Sequence, residues 1–220
     1  MNEVEVVSIL SIGFMLGIKH ALEPDHIIGV STIASQSKKL SKSALAGIFW
    51  GLGHTVTLLI VGMGLIFLKS DIPEKYAMSL EFLVGIMLVY FGLASIYSNK
   101  DKIHSDTHGQ SQPNIKFSYG KSLFMGFIHG LAGSAALVLL TMSTVDNLLE
   151  GGLYILVFGA GTVVSMLFFT TLIGIPFIMS ANKETFNKPL IHLTGVISTI
   201  FGLYYMYNLG VTEGLFKLWI

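Results

Sequence analysis

The chain has 220 residues, of which 52% are hydrophobic and only 12% charged, a balance typical of membrane proteins rather than soluble domains. Its thirteen lysines, with no arginine, balance thirteen acidic residues, so we expect no nucleic-acid partner. The absence of cysteine excludes disulfides, thiolate metal sites and thiol relays. Any bound metal would need histidine, carboxylate, hydroxyl or thioether ligands, and the expected surroundings are a lipid bilayer.

Apolar runs recur along the chain at close to the roughly 20 residues that cross a bilayer. The acidic start, from Met1 to Glu5, lacks the basic region of a cleavable signal peptide, so we expect the first apolar run to remain in the mature protein. We predict an all-α polytopic membrane protein with six transmembrane helices, over residues 6–22, 44–68, 78–97, 122–144, 151–179 and 189–209.

The two halves of the chain resemble each other at an offset of 108 to 110 residues. The repeated segments include His20-Ala21-Leu22 with His129-Gly130-Leu131, and Gly51-Leu52-Gly53 with Gly159-Ala160-Gly161. Because each half holds three runs, the second must enter the membrane upside down, as in many transporters. We predict two inverted three-helix repeats, 1–98 with the metal motif and 121–220, joined by a polar cytoplasmic linker at 99–120.

The lysines predict the orientation, since cytoplasmic loops keep an excess of positive charge. They cluster in the first, third and fifth connections, at Lys38, Lys39, Lys42, Lys100, Lys102, Lys116, Lys121, Lys183 and Lys188. The other side carries mostly carboxylates. We therefore expect a multi-pass protein of the cytoplasmic membrane with both termini extracytoplasmic.

The segment His20-Ala21-Leu22-Glu23-Pro24-Asp25-His26 places two imidazoles and two carboxylates in or beside a predicted span. Ionisable groups are costly there and indicate function by default. On an unbroken helix His20 and His26 would point about 240° apart. Pro24 should break the helix, which lets both rings face one cation and leaves a free carbonyl beside it.

Two later histidines are expected at depths in the membrane that are compatible with one site shared with His20 and His26. His54 follows Gly51-Leu52-Gly53 in the second run, and His129 lies in the fourth. Either one, taken alone, could simply hydrogen-bond to a neighbouring helix. Imidazoles with carboxylates suit borderline ions such as Ni²⁺, Co²⁺, Zn²⁺, Cu²⁺ or Fe²⁺ better than Mg²⁺ or Ca²⁺. The candidate metal ligands are thus His20, Glu23, Asp25, His26, His54 and His129.

The motif beginning at His20 resembles the H-x4-D-H signature of the nickel/cobalt transporter family, and Gly53-His54-Thr55 resembles its following Gly-His-Ser/Thr segment. The segment from His129 to Ser134 is similar to the second-half motif of the shorter, UreH-like urease-accessory branch. The resemblance implies permeation of Ni²⁺ or Co²⁺, with His20, Asp25, His26 and His54 as ligands. Larger members have additional spans and second-half motifs that this chain lacks.

These observations favour a secondary transporter, not an enzyme, with no permanent cofactor and with the metal as substrate. No G-x4-GK[ST] phosphate loop is present. One alternative is an intramembrane metalloenzyme in which Glu23 or Asp25 acts as a base. Another is a non-transporting accessory protein that hands metal to a cytoplasmic partner docked at His104 and His108 in the linker.

Other polar residues have structural interpretations. Lys19 is predicted to pair with Glu23 four residues later. His192 and Glu81 each lie near the start of a predicted helix, where snorkelling to the membrane interface explains them. His104 and His108 are typical of a solvated loop.

Overall fold

A computed structural model of the chain describes residues 3–37, 39–70, 72–97, 119–144 and 147–220. Most of the predicted linker 99–120, including His104 and His108, lies outside them. In the described part all regular structure is helical: α1 Glu3–His20, α2 Pro24–Ala34, α3 Leu40–Leu68, α4 Glu74–Tyr97, α5 Tyr119–Thr144, α6 Leu148–Ser180, α7 Glu184–Tyr207, a π-helical turn Asn208–Thr212, and α8 Leu215–Trp219.

The all-α class is confirmed over the described residues, and several helices can cross a membrane. Four are long and apolar enough: Leu40–Leu68, Glu74–Tyr97, Leu148–Ser180 and Thr185–Thr212. The pair Glu5–His20 and Pro24–Ala34, bent by 59°, makes a fifth if it is one broken span. The chain is therefore a multi-pass membrane protein. The run 122–144 forms α5 but is not among these candidates, so the count of six stays a prediction.

The helices approach each other most closely at glycines, and these approaches come in related pairs. A Cβ added to Gly17 in α1 would collide with the carbonyl of Phe158 in α6. A Cβ added to Gly126, 109 residues after Gly17, would collide with the carbonyl of Trp50 in α3. Trp50 and Phe158 are 108 residues apart. Helix α5 therefore packs on α3 as α1 packs on α6.

The reverse contacts are paired in the same way. A Cβ on Gly53 in α3 would collide with the carbonyl of Leu123, and one on Gly161 in α6 with the carbonyl of Phe14. Helices α4 and α7 also pack on each other through glycines. A Cβ on Gly92 would collide with the carbonyl of Gly195, and one on Gly202, 110 residues later, with the carbonyl of Gly85. Because small residues let backbones touch, the principal packing joins a helix from before residue 97 to one from after residue 119.

The chain after α7 folds back onto the start of α4. The π-helical turn and Gly214, with φ of 88°, redirect the backbone into the short helix α8. There Trp219 donates its indole N–H to Ser79 Oγ at 3.1 Å and lies against Tyr76. Aromatic rings of this kind are typical of the membrane–water interface. Helix α8 was not predicted from the sequence.

Candidate metal site

The predicted break separates α1 from α2 at Pro24, and this prediction is confirmed. Helix α1 ends at His20, and Glu23 takes an extended conformation with ψ of 144° before Pro24 opens α2. Proline is well suited to the first helical position because its missing N–H has no partner to lose there. The expectation of a free carbonyl at His20 is wrong, because that oxygen accepts the Glu23 N–H at 3.0 Å.

The break brings together the histidines that the sequence places far apart. The ring centroids of His20 and His26 are 4.6 Å apart, and that of His54, from the middle of α3, lies 5.1 and 5.4 Å from them. His129 from α5 lies 4.2 Å from His26. His26, His54 and His129 are at most 2% exposed. Four imidazoles from four helices therefore meet in the interior of the bundle.

Two carboxylates hold the imidazole rings. The Glu23 carboxylate contacts His20 Nδ1 at 2.9 Å, in place of the predicted pair with Lys19. Asp25 accepts from His129 Nε2 at 2.8 Å through one oxygen, and its other oxygen lies 3.3 Å from His26 Nδ1. Carboxylates that bind the far nitrogen of a metal-ligating histidine fix its tautomer and orientation. Glu23 and Asp25 are thus placed to orient histidines, and Asp25 is also close enough to serve as a ligand.

Four of the other ring nitrogens have no hydrogen-bond partner among the described residues. His26 Nε2, His129 Nδ1 and both nitrogens of His54 are buried without a hydrogen bond. A buried polar atom without a partner costs roughly 1–3 kcal/mol, so four of them in one cluster need an explanation. Imidazole nitrogens are ordinary ligands of borderline divalent ions. The donor set therefore fits a transition metal better than a purely structural network.

Two overlapping groups could hold an ion. The first triad is His20, His26 and His54, and the second is Asp25, His26 and His129. Within each triad, one candidate ligand atom per residue lies within 4.8 Å of the other two. His26 belongs to both. Metal–nitrogen bonds are about 2.0–2.1 Å long, so ligand atoms on one ion lie closer together than this outer limit. The ligand atoms of either triad would therefore move closer together when they bind an ion.

A cavity of about 330 Å³ reaches the cluster from one side of the bundle. It is lined by His20, His26 and His129, and also by Glu81 from α4 and Tyr205 from α7. The Glu81 side chain is half-buried and faces the cavity, and its interpretation as an interfacial residue stays a prediction.

The opposite side of the cluster is filled by Trp50. Its ring is wholly buried, lies 6.5 Å from the His26 ring and 5.4 Å from the His129 ring, and packs directly on Gly29 of α2. Along α3, Leu58 lines the cavity one turn after His54, whereas Trp50 lies one turn before it and does not. The histidines are thus open to one end of the bundle and closed toward the other.

One predicted polar residue lies away from the cluster. His192 is near the start of α7, and its Nδ1 donates to the Lys188 carbonyl at 2.9 Å. It does not line the cavity with the other histidines. A local structural role for His192 agrees with the sequence interpretation.

Comparisons with known proteins point to one family. UreH, a urease accessory protein of Bacillus sp. (strain TB-90), is 61% identical over the whole length of both chains. A putative nickel/cobalt efflux system of Methanocaldococcus jannaschii is 27% identical, covering 87% of this chain and 88% of that one. The chloroplast protein FOR GROWTH AND FERTILITY 1 of Arabidopsis thaliana is 25% identical over 74% of this chain and 48% of its own length.

A family model agrees with a membrane location. The transmembrane region of cytochrome c biogenesis proteins matches residues 73–204, which is more than half of the chain. No solved structure matches the chain. The chain therefore belongs to the UreH-like, urease-accessory branch of the nickel/cobalt transporter family and, more broadly, to the transmembrane family that this model describes.

Proposed function

We propose that this protein is a secondary transporter that moves Ni²⁺ or Co²⁺ through the cytoplasmic membrane. The observation that carries the proposal is the cluster of buried imidazole nitrogens without partners at the end of a cavity. In the proposed site His20, His26, His54 and His129 bind the ion, and Glu23 and Asp25 orient the rings. The names of a urease accessory protein and a putative nickel/cobalt efflux system support nickel and cobalt among the borderline ions.

The proposal includes an architecture of two inverted three-helix repeats, with the ion bound between them. The paired glycine contacts support it, because α1 on α6 and α5 on α3 are the same contact made twice with the repeats exchanged. A site between repeats near mid-membrane is typical of transporters that work by alternating access. Since imidazole must lose its proton to bind metal, exchange of metal for protons at these histidines is a natural coupling.

Reconstitution tests the proposal directly. Purified protein in liposomes that contain a metal-sensitive dye should pass externally added Ni²⁺ and Co²⁺ well above the rate of protein-free liposomes. Mg²⁺ should pass poorly, because nitrogen ligands disfavour it. If Ni²⁺ and Co²⁺ bind to the purified protein but neither crosses in either orientation of the protein, transport is ruled out.

That last result would favour a metal-handling accessory protein, which the name of the urease accessory relative suggests as the second candidate. Such a protein would bind metal with the same histidines and pass it to a cytoplasmic partner. An intramembrane metalloenzyme has less support, because the relatives are named as accessory or transport proteins.

We predict that both termini face away from the cytoplasm, and the cysteine-free chain permits a clean test. Leu218→Cys in α8 should react with a membrane-impermeant thiol reagent in intact cells. Asn182→Cys, exposed between α6 and α7, should react only after the cells are permeabilised. The reverse pattern would overturn the orientation inferred from the lysines.

A further inference from the structure

Glu81 lies in the membrane-spanning helix α4 and faces the cavity that leads to the histidines. It is seven residues after the start of α4, and its Oε2 accepts a hydrogen bond of 3.3 Å from the Tyr205 hydroxyl. Tyr205 lies in the last turn of α7, so the pair stands near the end of the bundle where α4 begins and α7 ends. A carboxylate within a membrane-spanning helix is energetically costly, so its presence there indicates a functional role by default.

The cavity is continuous between this pair and the histidine cluster. At about 30 Å³ per water molecule, an ion with six waters occupies roughly 200 Å³, and the cavity measures about 330 Å³. Among the described residues, its charged lining apart from the histidines is Lys19, Glu23, Asp25 and Glu81, so carboxylates exceed lysine by three to one. A cleft lined mainly by negative charge concentrates cations.

We propose that Glu81, held by Tyr205, is a second cation ligand that receives the hydrated ion between the cavity opening and the histidine cluster. The proposal deepens the proposed function and rests on it for the direction of movement. The binding position itself depends only on the cavity, the carboxylate and the unpartnered nitrogens of His26 and His129 deeper inside.

The two positions differ in their donor atoms, and this difference gives them different tasks. Glu81 and Tyr205 offer oxygen atoms, which bind hard and borderline cations alike, including Mn²⁺ and Mg²⁺. The inner cluster offers nitrogen atoms, which favour Ni²⁺ and Co²⁺ over the hard ions. An ion would therefore be collected at an unselective position and then selected at the histidines.

The test uses nickel and manganese as separate probes of the two positions. Purified full-length protein is first loaded with one equivalent of Ni²⁺, which the nitrogen cluster binds in preference to the oxygen position, and unbound metal is removed by desalting. Mn²⁺ is then titrated with its paramagnetic resonance signal as the readout. Nickel-loaded wild type should bind one Mn²⁺, and Glu81→Gln should weaken this binding about tenfold or more, because loss of even an outer-shell group costs roughly 10- to 100-fold in metal affinity. Tyr205→Phe should weaken it less, because the carboxylate remains.

The matched control is Glu74→Gln, which removes a carboxylate from the exposed first turn of the same helix, outside the cavity. It should leave both titrations unchanged. Glu81→Asp retains the charge and should restore Mn²⁺ binding to within a few-fold of wild type, which separates loss of the ligand from misfolding. Nickel affinity in Glu81→Gln should stay close to wild type, because the histidines are intact.

The outcomes separate this proposal from the transport proposal. If nickel-loaded wild type binds no Mn²⁺, or if Glu81→Gln binds it as tightly as wild type, Glu81 is not a cation ligand, whatever the liposome flux shows. If Mn²⁺ binding depends on Glu81 while liposomes show no Ni²⁺ flux, the second position exists in a protein that does not transport.

Discussion

His26→Ala should abolish binding and transport of Ni²⁺ and Co²⁺ while the protein still folds in the membrane. His26 is the residue shared by both candidate triads, and its Nε2 is buried without a partner. Removal of this ring takes one ligand from each triad. We therefore expect metal affinity to fall by about 100-fold or more, which is at or above the loss usually seen when an outer-shell partner of a ligand is removed. Metal titration in detergent and nickel uptake in cells, at matched expression, measure the effect.

The control for this variant is His192→Ala, which removes an imidazole from α7 away from the cluster. It should keep nickel binding and uptake at wild-type levels. The folded state of His26→Ala is checked by thermal melting without metal. A modest change is expected, because the hydrogen bond lost with the ring is the long one of 3.3 Å between Nδ1 and Asp25, and the buried, unpartnered Nε2 is removed with it. Nickel uptake by His26→Ala near the wild-type rate would show that transport does not require the histidine cluster.

Gly126→Ala should strongly destabilise the protein, although this added methyl group touches no ionisable side chain. The added Cβ would collide with the carbonyl of Trp50, an atom of the α3 backbone that cannot rotate away. Overpacking typically costs 1–3 kcal/mol, and a backbone collision should lie at or above about 3 kcal/mol on that scale. Forcing α3 and α5 apart would also separate His54 from His129, so metal affinity should fall with stability.

Gly64→Ala is the matched control, because it makes the same change in α3 at a position where, apart from the adjacent backbone of its own helix, no atom of the described residues lies within 4 Å of the added Cβ. Alanine favours a helix over glycine by up to about 1 kcal/mol, so this variant should be neutral or slightly more stable. Thermal melting and the yield of folded protein in detergent compare the two. Equal melting temperatures for Gly126→Ala and Gly64→Ala would mean that α3 and α5 do not pack this closely.

The helices and the cluster could be predicted because both depend on local rules. Apolar runs of bilayer length predict helices, and Pro24 predicts a break whatever surrounds it. The convergence of His20 and His26 then followed from the geometry of a helix that cannot continue. His54 and His129 required only similar depths in the membrane, which the rise per residue supplies.

The position of Glu81 beside the cavity could not be predicted from the sequence, because it depends on how α4 packs against its neighbours and not only on depth in the membrane. Distance along α4 places it near the interface, but the contact of α4 with α7 brings Tyr205 to it, and the bent α1–α2 pair leaves the cavity beside it. The orienting role of Asp25 was missed for the same reason, since His129 arrives from a helix 104 residues later. Helix α8 is too short for any periodic pattern.

The exchange of contacts between early and late helices affects how the protein is made. Helix α1 presents Gly17 to α6, which begins roughly 130 residues after α1 ends. At about 5–20 residues per second of synthesis, α1 waits roughly 6–26 s before its partner leaves the ribosome. For most of that interval, until α5 has also been made, the charged and imidazole groups around the break have neither α5 nor α6 to cover them. The nascent first half therefore depends on the insertion machinery to shield these groups from lipid.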